Sequence, residues 1–249
     1  MDTSKLKNLP YKEEQLRPLI KSFIDLTTLE GSDTDEKVVA LCEKAKLHKT
    51  AAICVYPPFA KLVRKQLADT GIKTACVAGA FPAGQSPVEI KVAEVKWTVE
   101  QGAEEIDMVI SRGKFLEEKY DEVGQEIAAI KNACGNAELK VILETGELKT
   151  SELIAKASQI AIDNGADFIK TSTGKIPVAA TPEAIYTMCE VAKAHFDKNG
   201  KKVGIKAAGG VSNYEDAVLY LRIVYTLLGE EWLSPKLFRF GASRLVENV

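Results

Sequence analysis

One rhythm constrains this chain more than any single motif. Short apolar runs rich in β-branched residues alternate with segments of helical spacing along almost its whole length. The runs are IDLTTL (24–29), AAICVY (51–56), TACVAGAF (74–81), EEIDMVI (104–110), LKVILET (139–145), DFIKTSTG (167–174), VGIKAAGG (203–210) and FRFGAS (238–243). Between them lie 35–47, 58–70, 87–101, 117–133, 148–164, 182–197 and 213–228, where apolar residues recur at three-to-four spacing. Eight β/α alternations in 249 residues predict a TIM-type (β/α)8 barrel, with residues 11–22 as an extra N-terminal helix. A doubly wound open sheet is the alternative for alternating elements, but its G-x-G-x-x-G fingerprint is absent. No Gly/Ser or Pro linker divides the chain, so residues 1–249 read as a single barrel domain.

Local signals agree with this reading. Thr34-Asp35-Glu36, Ser86-Pro87 and Thr181-Pro182-Glu183 each place a capping side chain before Pro or an acidic residue, which suits the free N–H groups of a first helical turn. Gly71, Gly102 and Gly165 follow helical patterns as C-terminal punctuation. Many strands read as apolar on both faces, as parallel strands covered by helices do.

Composition removes several function classes. The 33 Lys and Arg against 35 Asp and Glu give a net charge of −2, so no global basic field grips nucleic acid or an anionic membrane. Five cysteines, Cys42, Cys54, Cys76, Cys134 and Cys189, form no C-x-x-C pair, which argues against a disulfide framework or a zinc site and fits a reduced, cytoplasmic setting. His48 and His195, the two histidines, both fall in segments of helical spacing, so a histidine-based metal site or Ser-His-Asp triad has little to build from. The first twenty residues carry charges throughout and no apolar signal-peptide core, and no apolar run approaches the roughly 18 residues a membrane span needs.

Catalytic groups of such a barrel stand near the C-terminal ends of its strands, so polar residues inside apolar runs carry the information. Lys170 interrupts Phe168-Ile169-Lys170-Thr171, Lys206 interrupts Gly204-Ile205-Lys206-Ala207, Asp107 interrupts Ile106-Asp107-Met108-Val109, and Lys140 opens Val141-Ile142-Leu143. Taken singly, each reads first as a strand-end residue reaching solvent or as half of an ion pair. Together the barrel points Lys170, Lys206 and Asp107 inward at one place, and a buried charge demands either pairing or function.

Such a cluster suits amine catalysis. A lysine near its ordinary pKa of about 10.4 is ammonium at neutral pH, but a neighbouring cation and partial desolvation favour the nucleophilic amine. A useful lowering requires about 3–4 kcal/mol of differential interaction, within reach of one close like charge in a dry pocket. Asp107 then balances charge or moves protons through a bound water. This route needs no metal and no separate cofactor, since the imine forms on a lysine of the chain itself.

Three strand ends run into glycine: Thr173-Gly174-Lys175, Gly209-Gly210-Val211-Ser212 and Gly241-Ala242-Ser243-Arg244. Each alone reads first as a turn. On adjacent loops, with Ser243 and the cations Lys175 and Arg244, they predict a phosphate site, aided by the dipole of a short helix after the last strand. Asp25 and Thr27 end the first strand, where binding of a substrate hydroxyl and local capping both fit. Cys54 reads as a core thiol rather than a nucleophile, and Phe81-Pro82-Ala83-Gly84 as a turn that re-aims the chain.

The runs IDLTTL, AICVYP, the FPAG turn, EIDMVI, KVILETGEL, ADFIKTSTGK, the TPE helix start, GIKAAGGV and RFGAS occur in order from about residue 24 to 245, and in this they resemble the deoxyribose-phosphate aldolase family. The two lysine-bearing segments are the most specific part of the match. The resemblance implies a class I aldolase that reversibly cleaves 2-deoxy-D-ribose 5-phosphate to D-glyceraldehyde 3-phosphate and acetaldehyde. By that similarity Lys170 forms the Schiff base, Lys206 perturbs its pKa and Asp107 serves proton transfer. Gly174, Lys175, Gly209, Gly210, Gly241 and Ser243 hold the phosphate, and a homodimer is the family expectation. Ser212 stands where some relatives carry a basic residue, and Arg244 where they carry a small hydroxyl residue, so Arg244 is expected to replace the missing cation. Some relatives also end in a tyrosine that assists proton transfer, whereas the last tyrosine here is Tyr225. The rivals are another lysine-dependent barrel aldolase, transaldolase-like or keto-acid-cleaving, and a phosphosugar-binding barrel without turnover.

Overall fold

The computed structural model describes residues 2–249. Eight parallel strands, β1 (Ile24–Thr27), β2 (Ala52–Val55), β3 (Lys73–Val77), β4 (Glu105–Val109), β5 (Glu138–Ile142), β6 (Phe168–Lys170), β7 (Gly204–Ala208) and β8 (Phe238–Ala242), pair in chain order, and β8 returns to β1 to close the barrel. A TIM-type barrel is therefore what the alternation encodes. The expected N-terminal helix is α1 (Glu13–Ser22), which buries Leu16 and Ile20. The connecting helices are α2 (Asp35–His48), α3 (Ala60–Gln66), α4 (Val88–Glu100), α5 (Arg112–Leu116), α6 (Tyr120–Cys134), α7 (Thr145–Leu148), α8 (Ser151–Asp163), α9 (Pro182–Asn199) and α10 (Tyr214–Leu228). Among the described residues no helix is long and apolar enough to cross a membrane.

Thr34 and Thr181 cap as their sequence predicts, accepting the backbone N–H of Lys37 and Ala184 at 3.3 and 3.1 Å. Ser86 does not: α4 begins after Pro87, one residue later than a serine cap requires, and has no side-chain cap. Past β8 lies only a three-residue 3-10 turn, Leu245–Glu247, in place of the expected short helix. It has too few aligned peptides to supply a helix dipole.

Successive side chains of a strand point to opposite faces, and here the two faces differ sharply. The positions turned toward the helices are apolar: Ile24 and Leu26, Ile53 and Val55, Ile106 and Met108, Leu139 and Val141, Phe238 and Phe240 all join one large buried cluster. Around β2 and β3 the barrel interior is apolar, and Ala52, Cys54, Ala75 and Val77 form a small cluster of their own. Elsewhere buried charges, Asp25, Glu105, Asp107, Lys140, Lys170, Lys206 and Arg239, share the interior with Val109, Ile142 and Phe168. The expectation of strands apolar on both faces thus fails for most of the barrel, because the charges occupy the alternate, inward positions.

Candidate active site

Pairing register stacks the inward charges. Lys170 on β6 is the partner of Lys206 on β7, which is the partner of Arg239 on β8, so three cations stand side by side. Asp107 and Lys140 are likewise partners on β4 and β5. Lys170 Nζ donates to Asp107 Oδ2 at 2.6 Å, and Lys206 Nζ donates to the same oxygen at 2.7 Å. Lys206 also donates to Asp25, and Lys140 to Glu105. Arg239 reaches Asp25 through Nη1 and Glu105 through Nη2, the latter at 2.8 Å.

Four cations face three carboxylates in this network, leaving one positive charge in excess. In a buried array the cation with the fewest counter-ions is the one most easily deprotonated. Among the described residues Lys170 pairs with Asp107 alone and shares it. Burial lowers its pKa, the pull of Asp107 opposes this, and Lys206 lowers it again, for a net fall below the ordinary lysine value. For Lys206 burial also disfavours the cation, but Asp107 and Asp25 outweigh it and the pKa rises. Lys140 rises in the same way, burial being overcome by Glu105, Asp25 and Asp107. Burial pushes the Asp107 and Asp25 carboxyls up, yet the surrounding cations hold both well below the usual carboxylate range. The network thus favours the charged form of Lys206 and Lys140 and, among its lysines, disfavours that of Lys170.

Lys170 is also the member that opens outward. It lines a cavity of about 510 Å³ at the C-terminal end of the barrel, formed with Thr27, Gly174, Lys175, Gly209, Gly210, Ser212, Gly241, Ser243 and Arg244. Two of the glycines are required by close approach. A Cβ on Gly209, whose φ is +79°, would stand 2.5 Å from Ala179 Cβ; one on Gly241 would stand 2.9 Å from Ala208 Cβ and 3.1 Å from Lys206 Cε. Lys175 Nζ lies 3.0 Å from Glu30. Arg244 is exposed at the rim and has no ion-pair partner among the described residues.

The structure therefore brings Lys170 and the expected phosphate-loop residues Gly174, Lys175, Gly209, Gly210, Gly241 and Ser243 to one cavity. Thr27 lines it too, its hydroxyl donating to the Asp25 carbonyl at 2.8 Å. Lys206 and Asp107 lie beneath, fully buried. Asp25 does not line the cavity: its carboxylate is fully buried between Lys206 and Arg239, and it accepts from both. Burial pushes the Cys54 thiol up to about 11, in keeping with a core residue. Arg239 and Glu105 are not among the residues expected from the sequence; Arg239 interrupts an apolar run as Lys170 and Lys206 do, whereas Glu105 follows Glu104 at the start of one.

Fold and site together define a (β/α)8-barrel class I aldolase. The model of the DeoC/LacD aldolase family matches residues 20–224, and the chain belongs to that family. It is 47% identical over 252 residues to a Caenorhabditis elegans protein named as a candidate deoxyribose-phosphate aldolase, covering 97% of this chain and 82% of that one. It is 43% identical over 258 residues to the deoxyribose-phosphate aldolase of Homo sapiens, covering 96% and 81%. Among solved structures it is similar to the tetrameric deoxyribose phosphate aldolase of Aeropyrum pernix, with a TM-score of 0.77, 28% identity and coverage of 92% and 91%.

Proposed function

We propose that this aldolase reversibly cleaves 2-deoxy-D-ribose 5-phosphate to D-glyceraldehyde 3-phosphate and acetaldehyde, with Lys170 as the Schiff-base lysine. The observation that carries the reading is the position of Lys170: the one undercompensated cation of the buried network is also the one that faces the glycine- and cation-lined cavity. Names of relatives in two animals support the choice of substrate.

In the cleavage direction the neutral Lys170 amine attacks the aldehyde carbon of the open-chain sugar. The carbinolamine loses water and leaves a protonated imine. Loss of the proton from the C3 hydroxyl lets the C2–C3 bond break, its electron pair passing into the imine to give an enamine while C3 becomes the aldehyde of glyceraldehyde 3-phosphate. Protonation of the enamine at C2 and hydrolysis release acetaldehyde and restore the lysine. Burial and the neighbouring Lys206 lower the Lys170 pKa and so favour the free amine, and Asp107, 2.6 Å from Lys170 Nζ, supplies and accepts protons through water. The loops carrying Gly174, Lys175, Gly209, Gly210, Gly241 and Ser243 receive the phosphate, with Arg244 as the free cation at the rim, and hold C3 in register with the imine.

The test is direct turnover. Purified protein given 2-deoxyribose 5-phosphate alone should release acetaldehyde and glyceraldehyde 3-phosphate in equal amounts, and Lys170→Met should abolish both. Cleavage of a 2-keto acid or transfer of a dihydroxyacetone unit in its place would select another lysine aldolase.

A further inference from the structure

Another buried carboxylate, Glu144, lies outside the catalytic network. Glu144 follows β5, is fully buried, and holds φ +58° and ψ +60°, a left-handed conformation that residues other than glycine adopt only when their surroundings enforce it. Its carboxylate accepts the Thr173 backbone N–H at 3.1 Å and the Thr173 hydroxyl at 2.5 Å. The Thr173 oxygen in turn accepts the Lys175 N–H at 3.1 Å. On its other side Glu144 meets Arg112 Nη1 at 3.4 Å, a nitrogen that also lies 3.0 Å from Glu147, and Arg112 Nη2 donates to the carbonyls of Pro82 and Ala83 at 3.2 and 3.1 Å.

These contacts form one polar chain across the ends of four neighbouring strands. It runs from the Phe81–Gly84 turn after β3, through Arg112 after β4 and Glu144 after β5, to the Thr173–Lys175 turn after β6. Only its last members, Thr173 and Lys175, line the cavity; Glu144 and Arg112 do not touch it. A buried carboxylate is retained only with its donors in place, so Glu144 and the turn it binds are locked to each other.

We propose that Glu144 is a positioning residue for the anion-binding end of the site. It fixes the Thr173–Gly174–Lys175 turn in the form that receives a phosphate, and Arg112 holds Glu144 in place. Pre-organising that turn means its ordering cost is met in the empty enzyme rather than on binding. The proposal rests on reading this cavity as the site of a phosphorylated sugar.

The experiment measures the Kd for inorganic phosphate calorimetrically, together with kcat and KM for 2-deoxyribose 5-phosphate and for unphosphorylated 2-deoxyribose, in wild type, Glu144→Gln and Arg112→Met. Loss of one charge-assisted hydrogen bond should weaken phosphate binding about tenfold in Glu144→Gln, raise KM for the phosphorylated sugar by a like factor, and lower kcat/KM for that sugar far more than for 2-deoxyribose. Arg112→Met should move the same quantities in the same direction, and the double variant should lose less than the product of the two single losses. Unchanged phosphate affinity in the folded variants, or equal losses with both sugars, would overturn the proposal. If Glu144→Gln does not fold, Arg112→Met carries the test alone. A wild type that binds phosphate but cleaves neither sugar would sink the aldolase reading, while the phosphate affinities would still decide the role of Glu144.

Discussion

Lys170 and Lys206 are register partners on β6 and β7 that donate to one and the same oxygen of Asp107, at 2.6 and 2.7 Å. One carboxylate oxygen cannot fully compensate two ammonium groups, and the connectivity decides which goes short. Lys206 has Asp25 as a second counter-ion, whereas Lys170 has none. The amine that can shed its proton is therefore the one that meets the cavity.

Removing the second lysine should reverse this. In Lys206→Met, Asp107 keeps Lys170 at 2.6 Å and the more distant Lys140 at 3.6 Å, and the positive charge beside Lys170 is gone, so the Lys170 pKa rises. The limb of the pH–rate profile set by Lys170 deprotonation should move to higher pH, with kcat at pH 7 falling on the order of 100-fold. Asp25 also loses one partner but keeps Arg239, and the profile is to be measured on folded protein verified by circular dichroism. A profile that keeps its position would contradict the role given to Lys206.

Much of this site is legible in the sequence because a charge inside a period-two apolar run has to point into the barrel. That logic finds Lys170, Lys206, Asp107 and Lys140, and it applies equally to Arg239 in Phe238-Arg239-Phe240. The partner of each charge is another matter. Asp25 meets Lys206 and Arg239 across 181 and 214 residues only because β8 closes onto β1, and local pattern carries no trace of that contact. The short helices α5 and α7, of five and four residues, are too brief to show a helical period. The Glu144 chain is equally silent, since it depends on how four loops meet.

Gly241 tests how tightly the lysine is held. Its own backbone does not demand glycine, but a methyl there would press on Lys206 Cε at 3.1 Å and Ala208 Cβ at 2.9 Å. Gly241→Ala should lower kcat at least about tenfold and destabilise the fold by about 1–3 kcal/mol, the usual cost of overpacking. Steady-state kinetics beside a urea titration would read both, and wild-type kcat would show that the Lys206 position is not critical.

Arg244 should bear on the phosphorylated end of the substrate alone. Losing an unpaired rim cation should raise KM for 2-deoxyribose 5-phosphate by about tenfold in Arg244→Ala with little change in kcat, and should leave the reaction of 2-deoxyribose much less affected. An unchanged KM would return the phosphate to Lys175 and the backbone amides.

Acid should weaken the fold through the interior carboxylates. Asp25 and Asp107 titrate lower in the folded chain than the unfolded value of about 3.9, so the stability they contribute is complete above that pH and is lost as pH falls below it toward their folded values. The urea midpoint should thus fall progressively below about pH 4, with net proton uptake on unfolding. A midpoint independent of pH through that range would mean the two carboxylates are not held by the cations around them.

Trapping tests most directly whether Lys170 is the nucleophile. Acetaldehyde-free 2-deoxyribose 5-phosphate is mixed with the protein and sodium borohydride, and the adduct is located by peptide mapping and mass spectrometry. A reduced two-carbon adduct on Lys170 is expected, which reports both the imine and the cleavage. An adduct on Lys206 in its place, or none on either lysine, would contradict that role.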